Sequence, residues 1–283
     1  MSRTVLTGVV DWRLPVRGVE AVDLAFRHRA DGIQFDLGGP GRGPRLDAPG
    51  RLARVRTAAR SAGVVPLGAT ANLLNDIGIT AAPGTLEAAR VRTVLDRLVD
   101  AGGELGAPLV FVPSFRRSAI RNETDLLRTA EVLGRAAERA RASGLLLASE
   151  NVLPAHLARR LADAVGQEGF RLLLDTYNPV AEGLDVPELV AEIAPLLDGR
   201  IHLKDGRAGS TTATPLLGDG DGGLVATVDA VARHLPRVTA LVLENDHRDG
   251  DHARLRADLD RTRAFALGLD RQGMEAAPPC PSY

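Results

Sequence analysis

Eight short apolar runs, each followed by an amphipathic stretch, leave this chain few folds to choose from. The runs are Val5–Val10, Gly32–Leu37, Val64–Ala69, Leu109–Pro113, Leu145–Glu150, Arg171–Asp175, Arg200–Lys204 and Ala240–Glu244. Several are apolar throughout rather than alternating, the pattern of strands covered on both faces. The stretches between them, such as Asp47–Ala62, Leu86–Gly102, Glu123–Ala142, Leu153–Val165, Pro187–Leu197 and Val225–Leu235, repeat Ala, Leu, Arg and Glu at the 3.6-residue period of a helix. Gly63, Gly106, Gly144 and Gly199 stand where such helices would close before the next strand. Eight β-α units in about 250 residues are the size of a (β/α)8 TIM barrel. The expectation is one α/β catalytic domain over residues 1–269 and a disordered tail over 270–283. A doubly wound open sheet is the alternative, but no Gly-rich phosphate loop follows the first strand.

Composition narrows the partners. Net charge is −1 and the arginines alternate with acids along the helical stretches, which describes solvated faces and no footprint for nucleic acid. Aromatic content of 3% leaves little to stack bases on. The one cysteine, Cys280, stands in the tail, so disulfides and thiolate metal sites are excluded. No apolar stretch reaches the roughly 20 residues that span a bilayer, and the first residues carry no signal-peptide pattern. A cytoplasmic enzyme with a small-molecule substrate is expected, with homo-oligomerisation left open.

In a parallel barrel the chemistry sits where strands end. Here the last four strands end in Glu150, Asp175, His202 and Glu244, one oxygen or imidazole ligand each. Neighbouring strands of a closed barrel form an arc, so these side chains converge. Three carboxylates and an imidazole suit one divalent ion of the Mn, Mg, Co or Zn group. Without a cation, at least one acid would have to take up a proton. Lys204 is the chain's only lysine among 35 Lys and Arg residues. An arginine-rich composition keeps a lysine where a compact or titrating cation is needed. It follows His202 by two residues, so both would face the barrel interior, although an ion pair with Asp205 or Asp36 would also account for it.

The segments Leu147-Ala148-Ser149-Glu150-Asn151, Leu174-Asp175-Thr176-Tyr177-Asn178, Ile201-His202-Leu203-Lys204-Asp205 and Leu243-Glu244-Asn245-Asp246 resemble the xylose isomerase-like superfamily of sugar phosphate isomerases and epimerases. Gly32-Ile33-Gln34-Phe35-Asp36 and Val112-Pro113-Ser114-Phe115-Arg116 fit it as well. The likeness implies one divalent metal on Glu150, Asp175, His202 and Glu244, with the two glutamates moving protons on opposite faces of a hydroxyketone. Such an ion polarises the carbonyl and stabilises the enediolate left by deprotonation. The implied activity is a metal-dependent isomerase or epimerase of a small polyhydroxy ketone or aldehyde: a sugar, a sugar phosphate or a cyclitol. Glu150, Glu244 and Lys204 are the catalytic candidates. Trp12, Tyr177, Asn178, Asp205 and Arg207 are candidates for contacting substrate, Trp12 as an apolar lid over a sugar ring or as core packing. Arg116 and Arg117 offer a further anion contact, while Asn151 and Asn245 are read as loop-orienting. The run Leu217–Leu224 lacks the closing glutamate of a calcium loop and is read as a turn at the pocket rim. Two positions depart from the pattern. Asn178 stands where the family commonly has His, and Gln34 where many members have Glu. The alternatives are a lyase resembling inosose dehydratase, a non-catalytic barrel, and the apurinic-site endonuclease branch. That last branch needs a His-rich multimetal cluster, and of six His only His202 closes a strand.

Overall fold

A computed structural model of the chain describes residues 5–208 and 215–275. Eight parallel strands form one sheet: β1 (Leu6–Val10), β2 (Gly32–Asp36), β3 (Val65–Thr70), β4 (Leu109–Pro113), β5 (Leu146–Glu150), β6 (Phe170–Leu173), β7 (Arg200–Leu203) and β8 (Ala240–Leu243). Hydrogen-bonded neighbours run β6-β5-β4-β3-β2-β1-β8-β7. The ring closes between β6 and β7 by isolated bridges, Leu172 with Leu197 and Asp175 with His202. Two backbone bonds fasten the upper bridge, Thr176 N to His202 O at 3.0 Å and His202 N to Leu174 O at 2.9 Å. The expected (β/α)8 barrel is therefore the fold.

The helices are α1 (Val19–Arg27), α2 (Arg51–Ala62), α3 (Leu74–Ile77), α4 (Leu86–Leu105), α5 (Glu123–Ala142), α6 (Ala155–Val165), α7 (Asn178–Ala181), α8 (Val186–Ile193), α9 (Leu224–His234) and α10 (His252–Glu275). Side chains that satisfy the first free amides start several of them: Thr85 Oγ1 accepts from Ala88 N, and Asn122 Oδ1 accepts from Asp125 N. Gly63 and Gly106 close α2 and α4 in the left-handed conformation. Gly199 has a different reason to be small. The helix before it gives way to a 3-10 turn over Ala194–Leu196, and a Cβ on Gly199 would stand 2.7 Å from the Arg237 carbonyl.

Apolar residues form two cores. The larger lies between strands and helices, around Ile33, Phe35, Leu98, Leu133 and Leu161. The smaller fills the barrel with Val10, Trp12, Leu67, Leu109, Phe111, Ala148, Leu173 and Val242. Leu67 occupies the space left by two glycines: a Cβ on Gly8 or Gly32 would come within 2.5 Å of its side chain. The tail differs from expectation at its start, because α10 carries on through Glu275 and the backbone N–H of Val5 donates to Asp270 at 3.0 Å. Residues 276–283, the rest of the expected tail, lie outside the described residues.

Candidate active site and metal centre

Each ligand-type residue sits where its strand stops. Glu150 is the last residue of β5. Asp175 follows β6 and is bridged to His202 of β7. Glu244 follows β8, its N–H donating to Leu203 O at 2.8 Å. One donor atom from each lies within 4.8 Å of all the others, and all four residues are buried. Asp175 Oδ1 accepts from the backbone N–H groups of Tyr177 (2.9 Å) and Asn178 (2.5 Å). Asp175 Oδ2 is buried without a hydrogen-bond partner. A buried carboxylate oxygen left bare beside two more acids and an imidazole is what a divalent ion would satisfy. The residues fit one.

Charge in this cluster is uneven. Burial, and next the neighbouring Glu244, push the Glu150 carboxyl up to about 8. Burial also raises Asp175, against the pull of Lys204. Glu244 goes the other way. Burial opposes its ionisation, but Lys204, His202 and Arg13 outweigh it and hold the carboxyl well below the usual range. Burial disfavours protonation of His202, yet its bond to Glu244 and the surrounding acids hold its pKa above the ordinary value. Two glutamates of one cluster thus favour opposite protonation states, the arrangement acid–base chemistry needs.

The surrounding side chains explain the asymmetry. Trp12 Nε1 donates to Glu244 Oε1 at 2.9 Å, and Arg13 Nε stands 3.5 Å from the same oxygen. His202 is held at both ring nitrogens, Nδ1 against Glu244 Oε2 at 2.9 Å and Nε2 against Gln34 Oε1 at 2.7 Å. On the Glu150 side, Asn178 Nδ2 donates to Glu150 Oε1 at 3.0 Å, and Lys204 Nζ donates to Asn178 Oδ1 at 2.8 Å. Lys204 therefore pairs with Asn178 and not with Asp205 or Asp36. Trp12 both lines the barrel core and donates to a ligand, its ring 6.0 Å from Phe111 and 6.2 Å from His202.

Not every sequence candidate faces the cluster. Asp205 is buried, and its two oxygens accept from the N–H groups of Gly206, Gly218, Gly220 and Gly222 at 2.8–3.1 Å. That wires the glycine-rich turn after β7 to one carboxylate, so both oxygens of this expected substrate contact are engaged within the protein. Tyr177 packs under the same turn, its hydroxyl donating to Arg207 O at 2.7 Å. The Arg207 side chain is exposed at the rim. Arg116 and Arg117 reach Asp76 instead, at 3.4 and 3.3 Å. Asn151 bonds Ser149 and caps Leu153 N, and Asn245 Oδ1 accepts from Asp205 N while its amide donates to Asp258 and Pro215 O. Arg13 was not singled out by the sequence, where it is one arginine among many. Its position directly after Trp12 was the available signal.

Residues 22–265 match the family described as xylose isomerase-like TIM barrel. The chain is 51% identical, over 93% of its length and 96% of the relative's, to the 2-epi-5-epi-valiolone 7-phosphate 2-epimerase of Actinoplanes sp.. The solved structure of an L-ribulose 3-epimerase superposes with a TM-score of 0.74 at 20% identity, covering 98% of this chain and 100% of that one. The IOLI protein with a binding zinc atom gives 0.76 at 14% identity, over 95% of this chain and 99% of that one.

Proposed function

The chain belongs to the xylose isomerase-like TIM barrel family, and we propose that it inverts a carbon next to the carbonyl of a phosphorylated polyhydroxy ketone. It is an enzyme of the isomerase and epimerase type. The observation that carries the finer reading is the pair of buried glutamates, Glu150 and Glu244, on one ligand cluster with pKa values driven apart. The substrate class rests on the half-identical relative, which acts on a 7-phosphate.

Inverting a carbon requires a proton to leave one face and another to arrive on the opposite face. Glu244, held ionised by Lys204, His202 and Arg13, takes the proton. Glu150, the second glutamate of the cluster, delivers one. Asn178 donates to Glu150 Oε1 and so orients this carboxyl. Lys204 orients that amide through Oδ1 and adds positive charge beside an oxyanion. A divalent ion on Glu150, Asp175, His202 and Glu244 would polarise the carbonyl and lower the acidity barrier at the neighbouring carbon. Three oxygen donors to one nitrogen favour a hard ion, manganese or magnesium, over zinc. Among the described residues no helix is long and apolar enough to cross a membrane, and a cytoplasmic location goes with this reading.

The test is turnover in deuterated water on phosphorylated ketoses and cyclitol ketones. Deuterium is expected at the inverted carbon of product, and Glu150→Gln and Glu244→Gln are each expected to lose more than about 10²-fold in kcat, with metal content measured alongside. Inversion with complete retention of the original hydrogen would overturn the two-carboxylate scheme.

A further inference from the structure

We propose that Arg13 grips the phosphate of the substrate, at the mouth of the barrel beside Glu244; this rests on the phosphorylated-ketone reading above. Arg13 ends the single 3-10 turn, Asp11–Arg13, that follows β1. Its backbone is pinned, because His247 N donates to Arg13 O at 2.9 Å. The side chain has two unlike ends. Nε is buried, lacks a hydrogen bond and lies 3.5 Å from Glu244 Oε1. The side chain is 26% exposed, and among the described residues its terminal nitrogens make no hydrogen bond, although the Asp246 carboxylate feels its charge.

That is unusual for a cation on this face. Arg17 is taken by Asp11 at 3.1 Å and faces Asp36 at 3.8 Å. Asp76 holds Arg42 by two bonds of 2.7 Å, and Asp246 holds Arg248. Lys204 is committed to Asn178. Arg207 lacks a side-chain partner among the described residues, but it is exposed and nothing fixes its direction.

Electrostatics gives the fork a task. The ligand cluster holds Glu150, Asp175 and Glu244, so a phosphate brought against it meets like charge. A dianion on a substrate whose ketone sits at the cluster has to be received farther out, by a cation close enough to the ligands to fix the register. Arg13 stands against the ligand shell with Nε, and its planar pair of Nη groups is the fork that takes a phosphate by two parallel bonds. Binding energy collected on a non-reacting group is then available to orient the reacting one.

The experiment compares the same ketone with and without its phosphate, using the full metal-loaded chain. Wild type is expected to prefer the phosphorylated form by about 100-fold or more in kcat/KM. Arg13→Gln is expected to reduce that preference to within about tenfold, with Arg13→Lys intermediate because an ammonium keeps charge but not the fork. Trp12, the sole tryptophan, supplies a second readout: inorganic phosphate is expected to change its emission saturably in wild type and not in Arg13→Gln. Melting curves establish that both variants fold, and Arg13→Lys decides the matter if Arg13→Gln does not. Inversion without any preference for phosphate, or a preference that survives in Arg13→Gln and collapses in Arg207→Gln, overturns Arg13 as the grip and leaves the proposed reaction standing. If no phosphorylated ketone exchanges deuterium, the reaction reading fails, and the phosphate titration alone judges Arg13: Arg13-dependent saturation supports it and silence overturns it.

Discussion

Asn178 ties together two residues that the sequence could only place near each other. The metal set was legible because strand-end spacing puts Glu150, Asp175, His202 and Glu244 at one depth, and Lys204 stood out by being unique. The partner of Lys204 was not legible, because a long side chain chooses among neighbours by packing, and here it reaches Asn178 at 2.8 Å. Trp12 as a hydrogen-bond donor to Glu244 was hidden for the same reason. Lys204→Arg is expected to lower kcat by at least tenfold, about 1.4 kcal/mol of transition-state stabilisation. The wider guanidinium cannot repeat the single compact contact that the ammonium makes to Asn178 in a site only 5% exposed; a folded variant with wild-type kcat/KM would remove Lys204 from the mechanism. Asp11 supplies a pH dependence outside the metal cluster. Burial chiefly raises its carboxyl to about 7, against the pull of Arg17. An acid whose folded pKa lies above its unfolded value holds its proton more tightly when native. Its contribution therefore favours folding below the unfolded pKa, near 3.8. That contribution is lost as pH rises toward 7. Denaturant midpoints between those limits are expected to fall less steeply in Asp11→Asn than in wild type, since the amide oxygen can still accept from Asp36 N and Arg17.

Strands and helices were legible where period and punctuation agree. β4 and α5 begin and end where the sequence places them. β6 was expected over Arg171–Asp175, but its ladder stops at Leu173 and Asp175 makes only an isolated bridge. Alternation cannot reveal that, because Leu174 is as apolar as the strand before it while the backbone leaves the ladder. The glycine-rich turn shows another limit: its residues mark a turn, while the carboxylate that folds it lies more than ten positions earlier. Asp205→Ala would orphan four amides, each costing about 1–3 kcal/mol while it stays buried. The turn is expected to open to water instead. Limited proteolysis should then cut within residues 215–223 of the variant and spare the wild type, with the far-UV spectrum of the barrel unchanged. Equal protease resistance would show that the turn holds without Asp205.

At the scale of the whole molecule, the ligands belong to four consecutive strands, β5 to β8, and the junction closed by isolated bridges alone falls between the second and third of them. An ion bound only by the native state stabilises it by about 2.7 kcal/mol at a hundredfold excess over Kd. Exhaustive chelation is therefore expected to lower Tm, and identical melting of stripped and loaded protein would argue against the site. The placement of that junction says more than the size of the shift. A ring of strands can breathe where its fastening is thinnest, and here the thinnest place is spanned by Asp175 and His202. Amide hydrogens of Thr176 and His202 in the stripped protein would trade with solvent through a local parting of β6 from β7, long before the remaining strands let go. With the ion seated they would trade only when the whole barrel does. The cluster that handles protons would then also act as the clasp of the ring, and loss of the ion would be felt first as an opened seam.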